Sequence, residues 1–204
     1  MFANKVSHLS LLIGSALVVA SLADPAFAWP KRGSENIDSG IPRACEARPA
    51  PNVFAIEHAF SPFPQGQAIR LVEKAIDAAT KTIEVAAYEM TSKPIADALI
   101  CAAQQRGVQV FVVVDAKENH HGDGKSKIDY LIDGGVKVKI DANYPIMHNK
   151  FIVVDGIHLE TGSFNYTYAA EARNAENVMV IWNNAQLANE YATEFYRLWQ
   201  ESAD

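Results

Sequence analysis

Cysteine is scarce in this chain of 204 residues, which has two, Cys45 and Cys101. At most one internal bridge can form, so a scaffold held by many disulfides is excluded. Positive charge is also in short supply: 18 Lys and Arg stand against 24 Asp and Glu, a net charge of −6. A protein that captures polyanions through its overall field is therefore excluded, and any such binding must come from a local basic site. Only the N-terminus carries a long apolar run, so no other segment is a candidate membrane span. There is no internal repeat. What remains is ordinary: 49% apolar and 21% charged residues describe a globular chain with a real core, long enough for one domain with an extension.

The N-terminal run reads as an export signal. Lys5 gives a basic start, Leu11 to Ala23 is apolar, Pro25 breaks the run, and Ala26-Phe27-Ala28 is a small-x-small cleavage site. The run is shorter than the roughly 18–20 residues of a spanning helix. Residues 1–28 are expected to be a cleaved signal peptide, which makes the protein secreted or periplasmic with no stable membrane span. Export implies an oxidising compartment, where a Cys45–Cys101 disulfide would persist. The competing reading of Cys101 is a small buried residue in an apolar helix, and the sequence leaves both open. Residues 29–51 hold four prolines and three arginines with little periodicity. They read as an extended arm, and the folded domain is expected over 52–204.

Within that domain strands and helices alternate. Strands are expected at 53–60, 82–88, 108–114, 136–140, 150–154, 157–161 and 177–182. The near-continuous β-branched run at 108–114 suits a strand buried on both faces. A helix over 65–80 carries Ala68, Leu71, Val72, Ala75, Ile76 and Ala79 on one stripe. A second helix opens at Ser92 and Pro94 and stops at Gly107. Shorter helices are expected at 125–132 and 164–172. The C-terminal helix presents Leu187, Tyr191, Phe195 and Leu198, with Trp199 beside them. Asp155-Gly156 between two apolar runs marks a hairpin. The sum is an α/β domain, a mixed sheet flanked by helices on both faces.

The stretch 147–167, MHNKFIVVDGIHLETGSFNYT, carries the chemistry. Side chains two apart on a strand share a face, so His148 and Lys150 point the same way. The hairpin at Asp155-Gly156 returns Ser163 and Asn165 to the end that holds His148. An imidazole, an ammonium, a hydroxyl and an amide then converge, a set suited to a phosphate group.

The spacing His-x-Lys-x4-Asp-x6-Gly-Ser-x-Asn resembles the signature of the phospholipase D superfamily. The surrounding stretches FSPFP at 60–64, AAYEMTSKPIADAL at 86–99, RGVQVFVVVD at 106–115 and ETGSFNYTYAAEARNAENVMVIWN at 160–183 resemble its small bacterial Nuc-type endonucleases. They resemble mitochondrial cardiolipin hydrolases more distantly. The resemblance spans about residues 53–202 and implies a phospholipase D-like fold and phosphodiester hydrolysis without metal or other cofactor. It implies that His148 is the nucleophile forming a phosphohistidine, that Lys150 and Asn165 bind phosphate with support from Ser163, and that Glu176 holds the histidine ring in its working tautomer. Asp155 belongs to the same catalytic motif but sits past the strand, where a structural role is expected. Longer relatives carry the motif twice. This chain has no second His-x-Lys, so the second histidine, which protonates the leaving oxygen, would come from a homodimer with both His148 residues at the interface, sharing one proton between them.

The substrate divides into two readings: a non-specific DNA or RNA endonuclease, and a phospholipase D acting on phospholipid head groups or cardiolipin. A third, a nucleic-acid binding module without catalysis, would survive loss of His148. The amphipathic basic helix that docks on lipid is lacking. Lys93, Arg106, Lys117, Lys125 and Lys127 are candidates for a basic rim. His120, His121 and Asp123 on a glycine-rich loop form a weak ligand pattern, read as a solvated loop. His58 and His158 read as structural. Tyr166 and Tyr168 are open between base stacking and core packing, whereas Phe164 reads as core.

Overall fold

A computed structural model describes residues 45–122 and 124–203. The expected signal peptide at 1–28, the arm up to residue 44 and Asp123 lie outside the described residues. The described chain forms strands β1 (Ala55–Ser61), β2 (Thr82–Ala87), β3 (Gln109–Asp115), β4 (Lys137–Asp141), β5 (Lys150–Val154), β6 (His158–Gly162) and β7 (Glu176–Trp182). Helices α1 (Gln67–Ala78), α2 (Lys93–Arg106), α3 (Ile128–Asp133), α4 (Tyr168–Ala172) and α5 (Ala185–Glu201) connect or follow them. The sheet order is β1-β7-β6-β5-β2-β3-β4. Strands β2, β3 and β4 run parallel, and the other neighbouring pairs are antiparallel.

Alternation sorts the apolar side chains onto two faces. Ile83, Val85, Val110, Val112, Val114, Ile152, Val154, Val178 and Val180 pack under α1 and α2 in the larger core. Ala86, Val113, Phe151, Val153, Leu159 and Ile181 face the other way and meet Ala188, Phe195 and Leu198 of α5. The near-continuous β-branched run of β3 follows from this, since both of its faces are covered. The apolar stripe of α1 and the Leu187–Leu198 stripe of α5 are the two complementary surfaces. No described helix is long and apolar enough to cross a membrane.

The last residues of the arm are fastened to the domain. Cys45 and Cys101 form a disulfide with Cα atoms 5.7 Å apart, which decides the choice that the sequence leaves open. The Arg48 amide donates to the Asp77 carbonyl at 3.1 Å. The Asn183 side-chain amide donates to the Pro51 carbonyl at 2.6 Å.

Three expectations need correction. The segment before α4 is not helical: Phe164 and Tyr166 are both buried, Tyr166 bridges in parallel to Met90, and the helix starts only after Thr167, whose hydroxyl caps the Ala170 amide at 3.0 Å. Two buried aromatics at spacing two fit an extended chain and not a helix, and Tyr166 is a core residue, whereas Tyr168 is exposed. Helix α3 begins at Ile128, not Lys125, and the Ser126 hydroxyl ahead of it donates to Asn119 at 3.2 Å and accepts the Ile128 amide at 3.4 Å. Arg106 is no part of a rim. Its guanidinium donates to the carbonyls of Ile76, Asp77 and Ala79, the open C-terminal end of α1.

A half-buried acid and a buried one set opposite demands. Burial pushes the Asp155 carboxyl up, but hydrogen bonds from Thr80, Thr82 and Lys81 outweigh it and hold the group below the usual carboxylate range. Glu160, with the Tyr166 hydroxyl donating to it at 2.7 Å, has its carboxyl pushed up to about 8 by burial. Asp155 thus stabilises the fold above the ordinary carboxylate range and loses that contribution as pH falls through its depressed value. Glu160 stabilises as a neutral acid, and its contribution declines as pH rises from about 4.5 through about 8, at up to about 1.4 kcal/mol per pH unit. Chemical denaturation across about pH 2–9 is expected to show this upper decline, and Glu160→Gln should flatten it, whereas Asp155→Asn should leave it and remove part of the acid limb.

Candidate active site

Four strand ends meet at one edge of the sheet. Strand β5 runs antiparallel to β2 with Lys150 opposite Ala87, and antiparallel to β6 with Phe151 opposite Thr161. This register brings His148 and Lys150 beside the loop that leaves β2, Gly162 and Ser163 at the end of β6, and Glu176 at the start of β7. His148, just before β5, and Lys150, its first residue, both approach the Tyr88 ring.

The two differ in exposure. His148 is exposed. Its ring meets Tyr88 edge to face, with centroids 4.6 Å apart at 61°. Lys150 is 9% exposed; its ammonium donates to the His148 carbonyl at 2.9 Å and lies 5.1 Å from the centre of the Tyr88 ring. Burial pushes the lysine down from its ordinary value, and the charges of Glu176 and Glu89 pull it back. The result is a cation held at low solvation, where its attraction for a phosphate oxygen is strong.

A buried polar frame, absent from the sequence reading, fixes the chain around His148. Asp115, 1% exposed, closes β3. Its Oδ2 accepts the amide of Met147, the residue before His148, at 2.8 Å. Its Oδ1 accepts the amides of Lys117 and Glu118 at 2.8 and 3.2 Å. Asn119, also 1% exposed, donates to the carbonyls of Tyr88 and Asp115 and accepts the Met90 amide. The loop itself is clamped from outside: Lys117 donates to the Pro145 carbonyl at 2.8 Å, and Arg197 of α5 donates to the Tyr144 hydroxyl at 2.6 Å. The usable signal in the sequence was an Asp at the tip of a doubly buried strand with an Asn four residues on.

The remaining motif residues fall into three groups. Ser163 and Glu176 are together: the hydroxyl donates to Glu176 Oε2 at 2.6 Å and accepts the Asn177 amide at 3.1 Å. Glu176 Oε1 accepts from Asn174 at 3.0 Å, so the hydrogen bonds of this carboxylate run to Ser163 and Asn174. Asn165 is half-buried, and among the described residues its buried Oδ1 has no hydrogen-bond partner. Asp155 stands apart, at the opposite end of β5, where its carboxylate accepts from the Thr80, Lys81 and Thr82 amides and the Thr80 hydroxyl. It organises the far end of the strand and does not touch the His148 cluster.

The other candidates are dispersed. Lys93 pairs with Asp97 at 2.8 Å, and Lys127 donates to the Gly124 and Lys125 carbonyls. Both line a hollow with Tyr130 and Ser126. His121 Nδ1 bonds Asp129 at 2.5 Å. Among the described residues no group of three or more potential ligands could hold a metal. His158 is buried, accepts the Asn183 amide at 3.0 Å and packs against Trp182. His58 lies exposed on edge strand β1.

A family profile described as cardiolipin synthase, PLD-like domain, matches residues 72–199, which include the whole cluster. The chain belongs to this phospholipase D-like family. A solved phospholipase D family member, Nuc from Salmonella typhimurium, is 38% identical with a TM-score of 0.70, covering 74% of this chain and 98% of that one. A phospholipase D of Rickettsia bellii is 41% identical over 128 residues, 63% of this chain and 62% of that protein. A mitochondrial cardiolipin hydrolase of Xenopus tropicalis is 34% identical over 123 residues, 60% of this chain and 57% of that one. The chain thus spans about three fifths of the length of these two curated relatives, and nearly all of Nuc.

Gly162 shows why the motif needs its glycine. A Cβ there would lie 2.2 Å from the Asn177 carbonyl oxygen, and the Ser163 amide donates to that same oxygen at 3.2 Å. Gly162→Ala is expected to push β6 from β7, cost about 1–3 kcal/mol and displace Ser163. Urea denaturation measures the first effect, and a chemical-shift change at Ser163 the second.

Proposed function

We propose that this protein is a metal-independent phosphodiester hydrolase acting through a covalent phosphohistidine on His148. The observation that carries the reading is an exposed imidazole two residues from a buried lysine, at a junction of strand ends that also presents Asn165. Lys150 and Asn165 would hold the non-bridging oxygens and take up the charge that a metal supplies elsewhere. A ring nitrogen of neutral His148 attacks phosphorus, the N–P bond forms, and the P–O bond to the leaving group breaks. A second, protonated histidine gives that oxygen its proton. Water then attacks phosphorus, the N–P bond breaks, and the water's proton returns to the second histidine. A phosphate that recruits the Ser163 hydroxyl would release Glu176 Oε2, which we assign to the His148 ring as its tautomer-fixing partner.

The chain holds one such motif, so we assign the second histidine to a twofold-related copy. The exposed Ile146, 54% accessible, and Tyr144 lie beside His148 and give the contact an apolar border. Specific activity is then expected to fall on dilution as the dimer dissociates, in step with the mass read by light scattering. Full activity from a monomer would end this part of the proposal.

Nucleic acid is the preferred substrate. The motif context resembles Nuc-type endonucleases, and Nuc is matched over nearly its whole length. The phospholipase reading is supported by the names of the curated relatives. We place the protein outside the cytoplasm, as the leader at 1–28 implies, and the Cys45–Cys101 disulfide fits an oxidising compartment.

The parent protein and His148→Ala, each with EDTA, separate these readings on supercoiled plasmid and on phosphatidylcholine or cardiolipin vesicles. The parent is expected to nick plasmid, and the variant to lose about a thousandfold or more of the rate. Head-group release with intact plasmid would transfer the substrate to lipid and keep the mechanism. Activity that survives in His148→Ala, or that requires added metal, would overturn the mechanism.

A further inference from the structure

An exposed histidine at the mouth of a strand has two free side-chain torsions, whereas in-line attack tolerates only about 10–20° of misalignment. Glu176 does not restrain the ring here, since both its oxygens are engaged by Ser163 and Asn174. Tyr88 does make contact, edge to face at 4.6 Å. Tyr88 is itself held at three points. Its amide donates to the Asn149 carbonyl at 3.0 Å, its carbonyl accepts from Asn119 at 2.8 Å, and its hydroxyl donates to Glu118 at 3.1 Å. The Lys150 ammonium lies 5.1 Å from the centre of the same ring. One aromatic ring, locked at backbone and hydroxyl, therefore touches both the imidazole and the phosphate-binding cation.

We infer that Tyr88 is a positioning residue whose ring sets the angle of the His148 imidazole and its spacing from the Lys150 ammonium. The inference deepens the phosphohistidine reading and rests on it. Aromatic edges meet ring faces in a narrow set of orientations, and a cation is drawn to a ring face. A rigid tyrosine can thus limit both partners without a hydrogen bond to either, and leaves both imidazole nitrogens free for attack and for a tautomer-fixing partner. The ring is the operative part, and the hydroxyl anchors it through Glu118.

The test compares Tyr88→Leu and Tyr88→Phe with the parent on a chromogenic phosphodiester and follows the His148 ring resonances by NMR. Tyr88→Leu is expected to lower kcat about ten- to a hundredfold with KM little changed. It should also shift the His148 resonance through loss of the ring current. Tyr88→Phe, which keeps the ring, should restore the resonance and most of kcat. A Tyr88→Leu protein with kcat within about twofold of the parent would overturn the inference whatever its His148 resonance does, as would a Tyr88→Phe protein as defective as Tyr88→Leu. Should Tyr88→Leu not fold, Tyr88→Met carries the same comparison. His148→Ala, run in parallel, keeps the two ideas apart: activity surviving that change removes the phosphohistidine reading, whereas the His148 side-chain couplings, which report its torsions and not the ring current, still decide whether Tyr88 sets the ring.

Discussion

Strand β5 is the constraint on which the site depends. It is buried on both faces and hydrogen-bonded on both edges, to β2 and to β6. A slip of one residue would send Phe151 and Val153 into the α1 face and Ile152 and Val154 into the α5 face, against two cores of different shape. The register is therefore strongly specified, and with it the direction of Lys150 and of the His148 segment just before the strand. The anchors at either end reinforce it: Asp155 draws in the start of β2 at one end, and Asp115 holds the Met147 amide at the other. The chemistry-bearing end inherits its rigidity from packing that has no chemical role.

The acidic balance of the chain and the cationic character of the site are compatible because the charges are sorted by depth. Burial pushes Glu160, on the strand beside the one that carries Lys150, up to about 8, which favours its neutral form. Lys150 is buried and feels the charges of Glu176 and Glu89. An incoming phosphodiester would compete with these carboxylates for the lysine, which makes ion pairing local and short-ranged. Long-range steering of a polyanion is weak under a net charge of −6.

Much of this was legible from period and punctuation. The strands and the long helices announce themselves, because burial on one or both faces imposes period two or period 3.6. Phe164 and Tyr166 misled because a five-residue helix follows them and their own burial has no regular partner to reveal it. Arg106 misled for a related reason: a charge at a helix end reads as surface, whereas here it closes the carbonyls of a neighbouring helix. The disulfide was undecidable, since two cysteines carry no information about distance. Asp115, Asn119 and Tyr88 escaped notice because their work is done through backbone amides and a ring edge, contacts that only the folded register creates.

The motif itself contains a lesson of scale. His148 and Asp155 are seven positions apart, and an extended chain rises about 3.3 Å per residue, so they stand at opposite ends of one strand, on the order of 20 Å apart. No proton passes between them. What the fixed interval measures is the length of β5: a strand long enough to cross the sheet, with a turn-forming acid at φ 53 to end it and a histidine to precede it. Under the proposed mechanism the histidine and lysine report chemistry, and the aspartate reports geometry. A signature that joins them is a description of one rigid strand with a reactive end.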